Sequence, residues 1–328
     1  MISTLSTVGS LPRGDEWQDN QALSFGREAV RASFSSFSTL EDALKILPRC
    51  SDRQVCLDSD SAWRFNWAKD PDSRPKDFYK PEYDVSAWPV IKVPCSWQAM
   101  GANGKGGWGT PLYTNIRYPF AMDRPGGSSV MGEPPKEYTN YSARNPIGSY
   151  RRDFDLPEGW EKDDVFLKFD GVDSFFYLWV NGEYVGFSKN SRSPAEFNVT
   201  SFLRPGRNVV ALEVYRYSDG SYLEDQDMFR LSGIFRSAWL LRRPKERIRD
   251  FFVTAAPVKE GEFSGDWRVK VDCDAEVTVY LYTFDDKLVY SGKEKSFVVE
   301  KPRLWSAEEP NCYKIVLWNG SEIGRAHV

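Results

Sequence analysis

Between Arg216 and Arg236 the chain gathers four carboxylates (Asp219, Glu224, Asp225, Asp227), three guanidinium groups (Arg216, Arg230, Arg236) and four aromatic rings (Tyr217, Tyr222, Phe229, Phe235). Two kinds of chemistry use such a mixture. A pair of carboxyl groups can cleave a glycosidic bond, one protonating the leaving oxygen while the other attacks or activates water, at a spacing set by the sugar between them. Carboxylates and arginines in quick succession also form ion-pair networks. Glu224, Asp225 and Asp227 fall within four consecutive positions, too close to straddle a sugar, so an interdomain network is the simpler expectation. Arg230 and Arg236 then act as structural forks that pair with acids of this segment and of the neighbouring domain.

Histidine chemistry is excluded more firmly. The single imidazole, His327, is the next-to-last residue, which removes His-dependent triads, zinc clusters and histidine acid–base schemes. Five cysteines, Cys50, Cys56, Cys95, Cys273 and Cys312, stand at irregular intervals that fit neither a zinc cluster nor a disulfide framework. Cys50 and Cys56 are near enough to close a small loop, and Cys95 reads as a small core residue. A net charge of −4 spread over 43 basic and 47 acidic residues has no long basic run, which argues against nucleic acid as a partner. No apolar run reaches the roughly eighteen residues of a membrane helix, so no membrane partner is expected. The opening residues lack a basic n-region; the compartment stays open between cytoplasm and, with a signal peptide removed, periplasm. Aromatic residues make up 15% of the chain, enough to fill sheet-rich cores and to offer faces on which sugar rings stack.

The elements that must position these groups read as strands. Trp63 to Trp67 alternates rings with polar residues, the period of a half-buried strand. Residues 148–156, 165–169, 175–180 and 208–215 are further short runs, and Asn181-Gly182 between 175–180 and 183–187 is a hairpin signal. Many short strands without long helices argue for a two-sheet antiparallel sandwich. From Ile248 a second set of short runs with charged turns (250–253, 267–271, 276–282, 296–300) suits an immunoglobulin-like sandwich. After Tyr313 to Trp318, Asn319-Gly320 marks another hairpin whose returning strand is barely present in the sequence. Residues 1–62 hold little that demands a core of its own, apart from a short helical turn across Leu40 to Leu47. The glycine-rich stretch 101–110 is a loop, and its Trp108 is open to two readings, a sugar platform or a loop anchor.

The 216–236 segment, together with Val93-Pro94-Cys95-Ser96-Trp97-Gln98, Pro111-Leu112-Tyr113-Thr114-Asn115-Ile116-Arg117-Tyr118-Pro119, Phe169-Asp170-Gly171-Val172-Asp173-Ser174 and residues 302–311, resembles the amino-terminal noncatalytic portion of the large bacterial β-galactosidases of glycoside hydrolase family 2. The likeness runs from about Trp63 to Tyr313. It implies an all-β chain: an extended N-terminal arm over 1–62 anchored by Trp17, a jelly-roll sugar-binding domain over 63–246, and an immunoglobulin-like domain over 247–328 that is cut short or diverted at 324–328. Enzymes of this family carry their two catalytic glutamates on a (β/α)8 barrel, and nothing in this sequence reads as eight βα units. No catalytic residue is therefore expected here.

The resemblance implies substrate contacts instead. Asn115 and Asp219 match positions that reach toward the galactosyl pocket of the barrel, and Asp219 matches a ligand of a sodium ion near the sugar's hydroxymethyl group. An amide can donate to one hydroxyl and accept from another, and a carboxylate can take hydroxyl protons or help hold a cation. The plainer reading of both is that they bond their own turns. The implied partners are a terminal β-D-galactoside and the barrel of the parent chain, with sodium at a site this chain leaves incomplete, magnesium in the full-length enzyme, and homo-oligomerisation left open. Two competing expectations are a stand-alone carbohydrate-binding or scaffold protein, and a portion of a β-glucuronidase or β-mannosidase relative.

Overall fold

A computed structural model describes residues 11–31, 34–45, 51–100, 108–109, 111–115, 145–224 and 226–327. The helices among them are short, Leu40–Leu44 being five residues long, and the rest is antiparallel β-structure. The all-β expectation holds. By internal contacts the chain forms two compact units, one of residues 1–28 and 56–240 and one of 29–55 and 241–328. Residues 1–62 are thus divided between the two.

The first unit is a sandwich. Its seven-stranded sheet has the order Ser24–Phe25, Glu183–Ser188, Phe175–Val180, Gly206–Tyr215, Ile147–Leu156, Ser59–Ala68, Val90–Val93. A four-stranded sheet, in the order Ala195–Asn198, Asp164–Phe169, Ala238–Arg243, Gln54–Cys56, accompanies it. The strand Phe175–Val180 shows how sequence builds this. Side chains alternate faces along a strand, so Phe176, Leu178 and Val180 enter the core with Trp63, Phe65, Trp97 and Tyr150. Phe175, Tyr177 and Trp179 fall on the opposite face. That second face is not left to water: Trp17, Phe25, Phe78, Tyr83 and Trp88 cover it. With all six side chains at most 3% exposed, this strand contributes on the order of 10 kcal/mol of apolar burial before conformational entropy is subtracted. The hairpin at its end forms as the sequence predicts, with Asn181 and Gly182 both at positive φ (53° and 87°), the geometry of a two-residue turn matched to strand twist.

Two devices fasten the covering layer. Trp17, 4% exposed, stacks on Tyr215 at 5.5 Å between centroids. The buried Arg151 guanidinium donates to four carbonyls of one loop: Nη1 to Phe78, Lys80 and Tyr83 (3.0, 2.7 and 2.9 Å), and Nη2 to Pro81 (2.6 Å).

In the second unit, a three-stranded sheet (Phe251–Pro257, Trp267–Cys273, Ser296–Val299) and a five-stranded sheet in the order Ser35–Phe37, Ile323–His327, Tyr313–Trp318, Thr278–Thr283, Leu288–Gly292 enclose a core that includes Ile248, Val271, Val279, Phe297, Ile315 and Leu317. One expectation fails here. The returning strand after Asn319-Gly320 is present, Ile323–His327, paired to Tyr313–Trp318 on one side and Ser35–Phe37 on the other. Its single large apolar residue hid it from periodicity. The turn is held instead by polar groups: the Asn319 side-chain oxygen accepts from the N–H groups of Ser321 (2.9 Å) and Glu322 (2.8 Å), and the buried Glu322 carboxylate accepts from Ser36 Oγ and from the Ile248 N–H (2.6 Å).

Candidate recognition site

The strand Gly206–Tyr215 leads directly into the acidic segment, and the exit is fixed at each step. The buried Asn145 side chain donates to the Tyr217 carbonyl (2.7 Å) and accepts from its N–H (2.9 Å). Ser218 then caps a short 3-10 turn, Asp219–Tyr222, through reciprocal bonds with Ser221. The turn faces Asp219 toward Lys189, the residue after the strand Glu183–Ser188. The Lys189 ammonium lies 2.7 Å from Asp219 Oδ1 and donates to the Asp19 carbonyl at 2.8 Å.

The other acids are tied down as well. Glu224 accepts from the Ser191 N–H (2.7 Å) and from its hydroxyl. Tyr113 Oη donates to Asp227; this hydrogen bond is the main reason that the phenol titrates above its usual value. Asp173, in a two-residue strand paired with Gly233–Ile234, meets Arg192 Nη1 at 3.1 Å. Burial pushes its carboxyl up to about 7, with Glu224 adding to the rise and Arg192 and Arg216 opposing it. A cavity of about 20 Å³ between Asp173, Arg216, Tyr217, Glu224, Met228 and Arg230 has room for about one water.

The two arginines expected as forks both reach backbone carbonyls. Arg230 Nη2 donates to the Gln226 carbonyl at 2.6 Å. Arg236 donates to the Arg192 carbonyl at 2.8 Å and lies over the Phe235 ring, which Arg192 also faces. No acid among the described residues comes within ion-pair distance of Arg236. The Arg236 guanidinium, with five donors, is engaged by a carbonyl and a ring face.

Asn115 follows the strand Leu112–Thr114, which pairs with Met228–Arg230, and it is exposed. Its neighbours Tyr113 and Phe229 are exposed rings in contact at 5.6 Å. Asp219 therefore sits on the acidic segment and Asn115 directly after the strand that pairs with it, but no hydrogen bond joins Asn115 to Asp219. Trp108 packs on Phe65, 4.6 Å between centroids, against the core, which makes it a loop anchor; residues 101–107 lie outside the described residues, as does Cys50. Sequence reasoning missed Lys189, Asp173 and Tyr113. For Lys189 a signal existed: a lysine at the end of an apolar strand needs an anion once it is buried.

Of the residues that the resemblance implies for a cation, the chain supplies Asp219. Among the described residues no three His, Cys, Asp or Glu side chains converge, and the one carboxylate implied as a ligand, Asp219, is already ion-paired with an ammonium. In the second unit a concavity of about 430 Å³ opens among Val253, Phe263, Trp267, Leu304, Trp305 and Tyr313. Its lining carries no carboxylate, and its ionisable groups are Arg303 and Tyr313.

Comparison with known proteins places this geometry. The chain is 35% identical to a β-galactosidase of Priestia megaterium and 33% identical to one of Halalkalibacterium halodurans, in each case over 92% of its own length. It spans 30% and 29% of those two proteins. Its fold is like that of a β-glucuronidase from an uncultured Clostridium sp. (TM-score 0.61, 18% identity, 86% of this chain and 46% of that one) and that of Bacteroides uniformis (0.57, 20% identity, 84% and 32%). Residues 57–244 match the sugar binding domain of glycosyl hydrolases family 2. The sandwich that carries Asn115, Lys189 and Asp219 is that domain, and the chain belongs to glycosyl hydrolase family 2.

Proposed function

We propose that this chain is the noncatalytic amino-terminal portion of a retaining family 2 glycosidase acting on terminal β-D-galactosides, and that it lends one wall to a sugar pocket whose catalytic carboxylates lie on a barrel domain outside it. The observation that carries the reading is Asp219: a carboxylate with 20% of its side chain exposed, held on a capped turn, in a segment where β-galactosidases align along 92% of the chain. A carboxylate so held accepts hydroxyl protons and does not donate or attack. Asn115, exposed at the end of its strand, adds an amide that both donates and accepts. In this proposal Asn115 and Asp219 recognise the sugar and neither one breaks a bond. No step is assigned to sodium or magnesium.

The test compares the full-length protein on 4-nitrophenyl β-D-galactoside and β-D-glucuronide. A galactoside preference of at least about 100-fold in kcat/KM is expected, since hydroxyl-reading sites discriminate at that level. Preference for the glucuronide would replace the substrate assignment by the second reading, which rests on the fold likeness to β-glucuronidases. The chain of 328 residues by itself should hydrolyse neither substrate and bind galactose only weakly, because one wall leaves most of the sugar in water. Turnover by the homogeneous chain, or tight saturable galactose binding in calorimetry, would favour a stand-alone protein.

A further inference from the structure

We infer that Lys189 is a positioning residue: its ammonium holds Asp219 Oδ1 and leaves the other carboxylate oxygen for a ligand hydroxyl. The inference rests on the reading of Asp219 as a sugar contact. Lys189 is 6% exposed, and an ammonium taken out of water costs several kcal/mol unless it is paired. Among the described residues Asp219 is the acid within ion-pair distance, at 2.7 Å, and the Asp19 carbonyl accepts a hydrogen bond from the ammonium at 2.8 Å. Lysine has three donors and a flexible stem, but here its backbone is held: Ser188, immediately before it, pairs with Ser24, and Phe187 with Phe25.

The consequence falls on the aspartate. Oδ1 is fully buried and has no hydrogen bond besides that ion pair, so the remaining exposure of the side chain is carried by its other atoms. A short side chain on a four-residue turn next to Gly220 would otherwise rotate freely. Fixing one oxygen fixes the direction of the second, which spares the ligand the entropy of ordering it. The N-terminal residues enter the site by the same route, since it is the Asp19 carbonyl that steadies the ammonium.

The full-length protein with Lys189→Met is the main test. KM for a terminal β-galactoside should rise roughly tenfold while kcat stays within about threefold, the split expected for a lost ground-state contact, and Lys189→Arg should recover most of it. A KM within twofold of wild type in a folded Lys189→Met protein would overturn the inference, as would a loss confined to kcat. A second measurement needs no activity: reductive methylation of the 328-residue chain, read by peptide mass. Lys189 should resist modification in the wild type and become reactive in Asp219→Asn; equal reactivity in both would also overturn it. A full-length protein that ignores β-galactosides but shows that protection would refute the substrate assignment and keep the ion pair, so the two failures are separable.

Discussion

Replacing Asp173 by asparagine should make the chain more stable above neutral pH, less so in mild acid, and leave it little changed below about pH 4. The carboxyl titrates at about 7 in the folded chain against 3.8 when unperturbed, chiefly because burial penalises its charge; Glu224 is a like charge beside it, while Arg192 and Arg216 favour ionisation only in part. The sign follows from linkage. Below about pH 4 both states hold the proton; between about 4 and 7 the folded chain holds a proton that the unfolded chain has lost; above 7 folding must accommodate a buried charge. The group's favourable contribution is therefore present below the unfolded value and is lost as pH rises through 7. About three units at 1.36 kcal/mol each gives a ceiling near 4 kcal/mol. Asp173 is 14% exposed at its side chain, which leaves little room for water to screen it, whereas Arg192 is 43% exposed and compensates weakly. An asparagine has no charge to bury. Urea unfolding of both proteins at pH 5 and pH 8 should show the difference between them shifting by 2 to 4 kcal/mol in favour of Asp173→Asn, or roughly 5 to 10 °C in melting temperature for a unit of this size. Taking the difference removes Glu213, which burial also raises, and Glu16, where burial raises the value but hydrogen bonds from Tyr177 and the Arg13 and Gly14 N–H groups leave it lowered overall. Parallel pH profiles within about 1 kcal/mol would refute the argument, and a shift of opposite sign would mean that Arg192 dominates.

Trp17→Ala removes a ring that is 4% exposed and stacked on Tyr215; a loss of about 3 kcal/mol in urea unfolding is expected. Arg151→Met strands four carbonyls of residues 78–83 and should cost about 3 kcal/mol, with early amide exchange in that loop as the local readout. In the full-length protein Asp219→Asn keeps size but loses charge, so kcat/KM for a galactoside should fall roughly 10- to 100-fold with both constants affected; unchanged kinetics would leave Asp219 as a turn residue.

How much of this was legible in the sequence depends on how local the cause is. The Asn181-Gly182 hairpin was, since the residues that tolerate positive φ announce the turn themselves. The strand 175–180 was recognisable as a strand, but all six of its side chains are apolar, and a continuous apolar run does not say which face meets which layer; that its outer face is covered by Trp17 and the 78–88 loop is a long-range fact. The strand Ile323–His327 stayed hidden because polar groups of its turn and the pairing with Ser35–Phe37 fix it in place of an apolar stripe. At the site, Asn115 and Asp219 came from resemblance and not from spacing. Lys189 ends an apolar strand, a local hint that it needs an anion, but it stands 30 positions before Asp219, and no local pattern says which acid that is. Arg236 illustrates the reverse error: charge density nearby suggested an acid partner, yet among the described residues it meets the Arg192 carbonyl and the Phe235 ring.

The described carboxylates of the segment are not arranged as an acid–base pair. A general acid must hold a proton and a nucleophile must face its target, with the two carboxyls about 5 Å or more apart across a sugar. Asp219 is neutralised by an ammonium, Glu224 is filled by the N–H and hydroxyl of Ser191, and Asp227 accepts from a phenol. Asp173 does carry a raised value of the kind that catalytic acids need. Its surroundings, however, are a space of about 20 Å³, where a water fits and a sugar does not. Raised acidity constants mark functional sites only when a cleft accompanies them. Glu224 holds the backbone at Ser191, whereas the ion pair with Lys189 engages one oxygen of Asp219, the acid that the proposed function makes a sugar contact.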